Sequence, residues 1–401
     1  MHKMKKAPAI KKTLLSLITI TTGISLFLSL GCQKSTRKPS LYSVEIIDGI
    51  KHIHNIAPQS SDVAPVKLEL LGKIGKLEAE KEEDLLYDPI DAARLPTGDI
   101  LILERDGCSV KRYSKDHEYI SSFGQRGQGP GDFLFPFQLE LNEKQDKIYV
   151  ADSEISILSL EGNYEDSFKP PGIHVFGSIG VQYKTSGMVV LPESQVILPS
   201  HPSEWMESGE SNLLSIYDKE GALIRTFGSV RLYDDPRLTV NANIVFFEKD
   251  SQNHICTAFA YQNRICKYSP EGEMIFSTDR PLSFEVKNTL KVETFKSGNM
   301  EREFKTPSVS SVTKGIGLDH KNRLWILTYL KQPNRFLTFD GGENLTQCYE
   351  FDVFDLEGIL LFKVPFPNVQ VDNFSLYDDR IYLIDHQHES CVYEYRIVET
   401  E

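Results

Sequence analysis

Six times along this chain a cluster of polar turn residues gives way to a short run dominated by apolar side chains. The copies are TGDILIL from Thr97, QDKIYVAD from Gln145, ESQVILP from Glu193, QNHICTA from Gln252, KNRLWIL from Lys321 and DDRIYLID from Asp378. Their first apolar anchors are Ile100, Ile148, Val196, Ile255, Leu324 and Ile381, spaced by roughly 50 to 70 residues. Such β-branched and aromatic runs, bounded by turn formers, predict strands. A second motif follows each copy: an aliphatic residue three before a mostly aromatic one, commonly with a Glu-Gly turn after it. It reads VKRYSKD at Tyr113, ILSLEG at Leu160, LSIYDKEG at Tyr217, ICKYSPEG at Tyr268, FDVFDLEG at Phe354 and VYEYRI at Tyr395. In the first five copies another short strand comes next (YISSFG, YEDSF, LIRTFG, MIFST and LLFKV); in the sixth the chain ends at Glu401. Four short strands per unit and six units predict an all-β fold, a six-bladed β-propeller of four-stranded antiparallel blades. The missing strand is assigned to PVKLELLGKIGK, Pro65 to Lys76, which precedes blade one. Closing the ring with strands from both ends removes the open sheet edge.

The stretch FGQRGQGPGDF, Phe123 to Phe133, sets a phosphate-binding reading against a structural one. Gly124 and Gly129 have the spacing of the two P-loop glycines, but Gly129 is followed by Pro130 and Gly131. A P-loop needs Lys and a hydroxyl there, to reach the phosphates and hold magnesium. The stretch runs on into Phe133-Leu134-Phe135-Pro136-Phe137, strand material and not the helix a dinucleotide loop requires. The segment instead joins the outer strand of one blade to the inner strand of the next. It resembles the inter-blade segment of NHL-repeat propellers, where FG, then GxGPGxF, then Pro makes that connection. A second FG, Phe227-Gly228, stands at the same point after blade three.

The N-terminus reads as a targeting segment. Lys3, Lys5, Lys6, Lys11 and Lys12 precede an uncharged apolar run, Thr13 to Leu30, which ends at Gly31-Cys32. A basic start, an apolar stretch and a small residue before the cut make a secretory signal. Cys32, followed by Gln33-Lys34-Ser35-Thr36, resembles the lipidated cysteine of bacterial lipoproteins, although Ser29 stands where that pattern prefers Leu. The expected organisation is a signal over residues 1–31, a linker over 32–43 and a propeller over 44–401. With that signal the chain resembles the six-bladed propeller lipoproteins of Gram-negative envelopes. The resemblance implies a lipid-anchored protein facing the periplasm, at the outer membrane, that touches membrane only through its anchor.

Charge narrows the partners. The formal net charge is -13, and residues 1–31 hold five lysines and no acid, so the remainder is more acidic still. Non-specific nucleic-acid binding needs a basic footprint and is not expected. Five cysteines besides Cys32 (Cys108, Cys256, Cys266, Cys348 and Cys391) are too dispersed for a disulfide framework, and no CxxC pair suggests zinc. Cys256 and Cys266 are the local pair; strand register decides whether they meet.

Strand order places the function. In an up-and-down blade the first-to-second and third-to-fourth turns share one face, and these are tight. The second-to-third loops and inter-blade links share the other face and hold the extra length: residues 199–212 and 329–347, and the links 169–187 and 279–312. Long loops on a rigid scaffold are where recognition is usually built. Trp205, Met206, Phe336 and Phe339 are the candidate apolar contacts in them. The link from Leu282 to Phe304 alternates in parts, as LSFEV and LKVETF, and reads as an extra hairpin capping the channel.

No nucleophile elbow, metalloprotease helix or Ser/His/Asp set is recognisable, so no catalytic residue is assigned. His52-x-His54 and His386-x-His388 put two imidazoles on one strand face and could each hold a metal, or simply face solvent. The architecture also resembles six-bladed lactonases and related hydrolases, which hold a divalent cation in the central channel with carboxylates and amides. The innermost strands offer Asp91, Glu140, Asn142, Asn241, Asn243, Asp372 and Asn373; Asp91, Glu140, Asn243 and Asn373 are the set assigned to calcium. The expectation is a binding scaffold for an envelope protein or a glycan, with no cofactor. A calcium-dependent, lactonase-like hydrolase is the alternative.

Overall fold

The strands predicted by the repeats assemble into six four-stranded antiparallel blades. The computed structural model describes residues 40–60, 64–76, 78, 80–170, 187–200, 212–297, 300–333 and 347–400. Blade one comprises Pro89–Arg94, Ile100–Glu104, Ser109–Tyr113 and Tyr119–Phe123; blade two Gln138–Leu141, Lys147–Ala151, Ile155–Ser159 and Tyr164–Phe168. Blade three holds Val189–Val190, Val196–Pro199, Asn212–Tyr217 and Leu223–Ser229; blade four Val245–Lys249, Ile255–Phe259, Ile265–Tyr268 and Met274–Asp279. Blade five is Thr313–Leu318, Leu324–Tyr329, Tyr349–Phe354 and Leu360–Pro365. Blade six takes Asn373–Tyr377, Arg380–Asp385 and Cys391–Glu399 from the C-terminal end and Val66–Ile74 from the N-terminal side. Val66 pairs with Glu399 and Ile74 with Val392, so the ring closes as the missing strand requires.

The alternation of side chains explains why the second strand of each blade is apolar throughout. Ile100 and Ile102 pack with Tyr382, Ile384 and Val392 of blade six. Leu101 and Leu103 point the other way and pack with Leu139, Ile148 and Val150 of blade two. Both faces of each blade are thus buried against neighbours, and the pattern continues around the ring. Each fully buried side chain of this kind contributes about 1.5–3 kcal/mol. The Glu-Gly turns serve the same packing. Gly162, Gly272 and Gly358 have φ of +85°, +87° and +84°, and a Cβ on each would come within 2.3, 2.7 and 2.7 Å of Phe123, Phe227 and Phe276. Each of these three turns therefore lies flat on a phenylalanine of the outer strand of the preceding blade.

FGQRGQGPGDF is structural. Its last residue, Phe133, is fully buried in the core between blades one and two. Asp132 Oδ2 accepts from Gly129 N at 2.9 Å, and Asp152 accepts from Leu134 N and Phe135 N at 2.6 and 2.9 Å. The glycines carry the chain around this wedge.

Two features depart from the expectation and a third meets it. A hairpin, Tyr42–Ile47 with Ile50–Asn55, adds to the outer edge of blade four, Ile50–Asn55 running parallel to Met274–Asp279. Asn55 fixes it there: its Nδ2 donates to Thr278 Oγ1, Asp279 O and Gly358 O at 2.9, 2.8 and 3.1 Å, and its Oδ1 accepts from Leu360 N at 2.9 Å. The chain then bonds along blade five, Gln59 N to Leu360 O and Ser60 N to Leu361 O, before entering blade six. Second, Asn241 and Asn243 are not on an innermost strand. They lie in and at the end of a helix, Pro236–Ala242, capped by Asp235, whose carboxylate accepts from Arg237 N and Leu238 N. Third, the extra hairpin of the blade-four link exists, as Asn288–Ser297 with Met300–Val309, and packs against that helix. The cysteine question is also settled by register: Cys266 lies opposite Thr257 and Cys256 opposite Lys267, so the two thiols point to opposite faces. All five described cysteines are buried, and Cys108, Cys256, Cys266 and Cys391 are free thiols.

Candidate functional site

The loop-rich face carries a cleft of about 620 Å³ on blade four. Its walls come from the second-to-third loop of that blade, both flanking links and the added N-terminal hairpin, the last bringing His52 and His54. Of the lining residues only Ile53, Val286 and the ring of Tyr233 are apolar. Arg231 lies over the Tyr233 ring, Cζ to centroid 5.4 Å, and Arg264 over Phe259 at 4.0 Å. Arg264 Nη2 donates to Ser229 O at 2.8 Å, while its Nε is buried without a hydrogen-bond partner. Asn288 has the complementary deficit. Its Nδ2 donates to Tyr261 O at 2.7 Å, and its Oδ1 is buried with no donor. His54 Nδ1 and Asp279 Oδ2 are 2.8 Å apart, and that bond raises the imidazole pKa above its ordinary value. The cleft therefore presents arginines, a lysine, histidines and amides against Asp279 and Glu285, on a chain that is strongly acidic elsewhere.

The central channel is lined differently. Asp91 Oδ1 accepts from Ser375 Oγ of blade six at 2.7 Å and Ala92 N at 2.9 Å, and Oδ2 accepts from Leu139 N of blade two at 2.9 Å. One carboxylate thus ties three blades together. Burial pushes its pKa up to about 6, against the downward pull of those bonds. Burial, then the charge of Glu248, holds Glu140 well above the usual carboxylate range, and burial raises Glu248 as well. Both are only half-buried by exposure: their side chains meet water in the bore yet have protein on every side. Lys249 donates from Nζ to Val190 O at 2.6 Å, joining blades three and four.

The four residues assigned to calcium do not come together as a set. Asn373 Nδ2 donates to Ile90 O at 3.1 Å, another stitch between blades six and one. Asn243 is 1% exposed and fully engaged at the helix end: Oδ1 accepts from Arg231 N and Gln262 Nε2, and Nδ2 donates to Arg231 O and Thr239 O. Of the wider set, Asn142 lies in the first hairpin turn of blade two, bonded to Asp146. Glu140 lines the bore with Glu248, a partner the sequence reading missed; a charged residue on the corresponding strand of blade four was the available signal.

Asp372 lies elsewhere, on the loop-rich face between blades six and one, near the second histidine pair. His386 Nδ1 is 2.8 Å from Asp88 Oδ1 and its Nε2 3.6 Å from Asp372 Oδ2. Burial opposes ionisation of Asp88, but the bond from His386 and the charges of Arg105 and His386 hold its pKa below the usual range. Cys32, Trp205, Met206, Phe336 and Phe339 lie outside the described residues.

Likeness to known proteins shows the fold. No family model matches the sequence, and no curated protein does. A member of the DUF4221 family from Bacteroides vulgatus superposes with a TM-score of 0.52 at 10% identity, covering 84% of this chain and 99% of that one. A candidate exported protein of Bacteroides fragilis gives a TM-score of 0.53 at 10% identity, covering 83% and 96%. Virginiamycin B lyase from Staphylococcus aureus follows at a TM-score of 0.44 and 10% identity, covering 83% of this chain and all of that one. The chain is a six-bladed β-propeller of four-stranded antiparallel blades.

Proposed function

We propose that this protein is an envelope-anchored binding propeller that takes a hydroxyl-rich, acidic ligand of the glycan class into the blade-four cleft. The observation that carries the reading is the lining of that cleft. A protein-binding surface would show a broad apolar core with a polar rim. This cleft instead presents one aromatic ring beside cationic and amide groups. Sugar hydroxyls both donate and accept, and a ring face packs on a tyrosine. The arginines and His54 favour a carboxylate or sulfate on that sugar. Localisation follows from the signal and Cys32: lipid on that cysteine holds the propeller at the outer membrane, facing the periplasm. The exported Bacteroides fragilis neighbour of the same fold agrees with this. A calcium-dependent hydrolase built on Asp91, Glu140, Asn243 and Asn373 draws less support, because Asp91, Asn243 and Asn373 are committed to bonds that hold blades and helix together.

Calorimetric titration with neutral, carboxylated and sulfated oligosaccharides tests the proposal. Acidic sugars are expected to bind at micromolar to millimolar strength, more weakly as salt rises. Tyr233→Ala and Arg231→Ala, both at partly or fully exposed positions, should each weaken binding at least several-fold. No binding of any acidic glycan, or binding indifferent to both substitutions, would sink it.

A further inference from the structure

Where blade six meets blade one, the loop-rich face gathers side chains of a different kind. Asp372 precedes the inner strand of blade six, Asp385 ends its second strand, and His388 lies in the loop beyond. One ligand-type atom from each falls within 4.8 Å of the others. The sheet explains the meeting. Asp372 N donates to Ile384 O at 2.8 Å, which sets Asp372 beside the end of that strand. His388 N then turns back to Asp385 Oδ1 at 2.9 Å, with its Nδ1 3.3 Å from the same oxygen.

Each carboxylate is pinned by one oxygen. Asp372 Oδ2 accepts from His386 N and Gln387 N at 3.0 and 3.2 Å. Asp385 uses Oδ1, and its Oδ2 is buried with no hydrogen-bond donor, on a side chain that is 1% exposed. A buried carboxylate oxygen without a donor is costly, and the usual remedy is a cation. The nearby protein cations have other partners. Arg105 pairs with Asp88 and Lys73 with Glu389, although the charge of Lys73 also reaches Asp385. Asp372 and Asp385 are left with two imidazoles.

We infer that Asp372, Asp385 and His388 form a site for a divalent transition cation, zinc foremost. One imidazole nitrogen with two carboxylates suits zinc or manganese better than calcium, which prefers oxygen throughout. Three protein ligands leave a fourth position for water or for an oxygen of a bound molecule. Ligand atoms around zinc sit about 3.3 Å apart at ordinary bond lengths, so the group must tighten. His388 is the member that can move, being half exposed and on a loop, while the carboxylates stay held by backbone amides. His386, between Asp88 and Asp372, keeps the Asp372 side oriented. The site is separate from the blade-four cleft and stands whether or not that cleft binds a glycan.

The test is calorimetric titration of EDTA-stripped, dialysed protein with zinc, manganese and calcium chlorides, with melting curves in parallel. The expected result is one zinc per chain, calcium binding more weakly, and a zinc-dependent rise in melting temperature. His388→Ala and Asp385→Asn should each weaken zinc binding at least tenfold. His388→Ala alters a half-exposed side chain and should fold normally. Asp385→Asn removes the buried charge, so its metal-free form should melt no lower than the parent, an outcome a purely structural aspartate would not give. The inference is overturned by the absence of saturable zinc binding, by calcium binding more tightly than zinc, or by zinc binding that survives both substitutions. In the last case His54→Ala would trace the metal to the histidines of blade four.

Discussion

Replacing Asp91 with asparagine probes what the buried channel carboxylates cost the fold. Asp91 has a pKa of about 6 in the folded protein, against about 3.9 in an unfolded chain. Between about pH 4 and pH 6 the folded state keeps a proton that the unfolded state has released, so stability falls as pH rises through that window. Above it both states are ionised and the penalty is constant, at about 3 kcal/mol relative to pH 4. The amide of the Asp91→Asn variant cannot titrate and loses this term. The variant also loses a bond: Oδ2 of the carboxylate accepts from Leu139 N, and an amide nitrogen in its place sets donor against donor, costing about 1–2 kcal/mol. The variant should therefore be the less stable form near pH 4.5 and the equal or more stable form near pH 7.5. Urea unfolding of both proteins in half-unit steps from pH 4 to 8 measures the crossing. An offset that is the same at every pH would refute the argument, and so would one that disfavours the variant increasingly as pH rises.

Two further outcomes are expected. Asn55→Ala strips four hydrogen bonds from the contact between the N-terminal hairpin and blades four and five and leaves Leu360 N without its acceptor. It should cost roughly 2–4 kcal/mol in urea unfolding, with limited proteolysis cutting first near residues 48–60; unchanged stability and protection would mean the hairpin is not part of the folded unit. The five described cysteines are buried, and burial pushes Cys256 up to about 12 and Cys391 up to about 11. None should react with a thiol reagent in the native protein and all five should react in urea, with no effect of a reductant on melting; fewer than five in urea would reveal a disulfide.

The ring was legible because its information is local. Blades two to five each declare themselves in a few dozen residues by apolar strands and a Glu-Gly turn, and in three of them the glycine is required by the phenylalanine it lies against, as at Gly272 and Phe227. The closing strand was found by asking which blade lacked one, and its register with Cys391–Glu399 is continuous apart from one bulge. The N-terminal hairpin gave no such handle, since a parallel partner more than two hundred residues away leaves no local mark. The helix over Pro236–Ala242 did leave one. Asp235 followed by Pro236 is a cap and first-turn signal, and reading it would have kept Asn241 and Asn243 off the channel.

Sites escape the sequence for the reason that blades do not: they are built between repeats. The blade-four cleft draws on the N-terminal hairpin, two links and a loop, and the hairpin is held there by its parallel pairing with Met274–Asp279 and by Asn55, bonded to backbone on blades four and five. What the sequence did offer was the two His-x-His pairs and the prediction that one face carries the long loops. Both pairs lie on that face, His54 beside Asp279 and His386 between Asp88 and Asp372. Each meets carboxylates there: Asp279 ends the outer strand of blade four, while Asp88 and Asp372 stand just before the inner strands of blades one and six. On the opposite face the short turns also bring charged groups together: His117, in the last turn of blade one, has its Nε2 2.6 Å from Glu394 Oε2 of blade six, and Lys267 Nζ lies 3.0 Å from Asp250 Oδ2. What sets the loop-rich face apart is the length of its loops and the cleft they wall, so the residues worth substituting for a binding function are those where two blades, or a blade and the N-terminal segment, meet on that side.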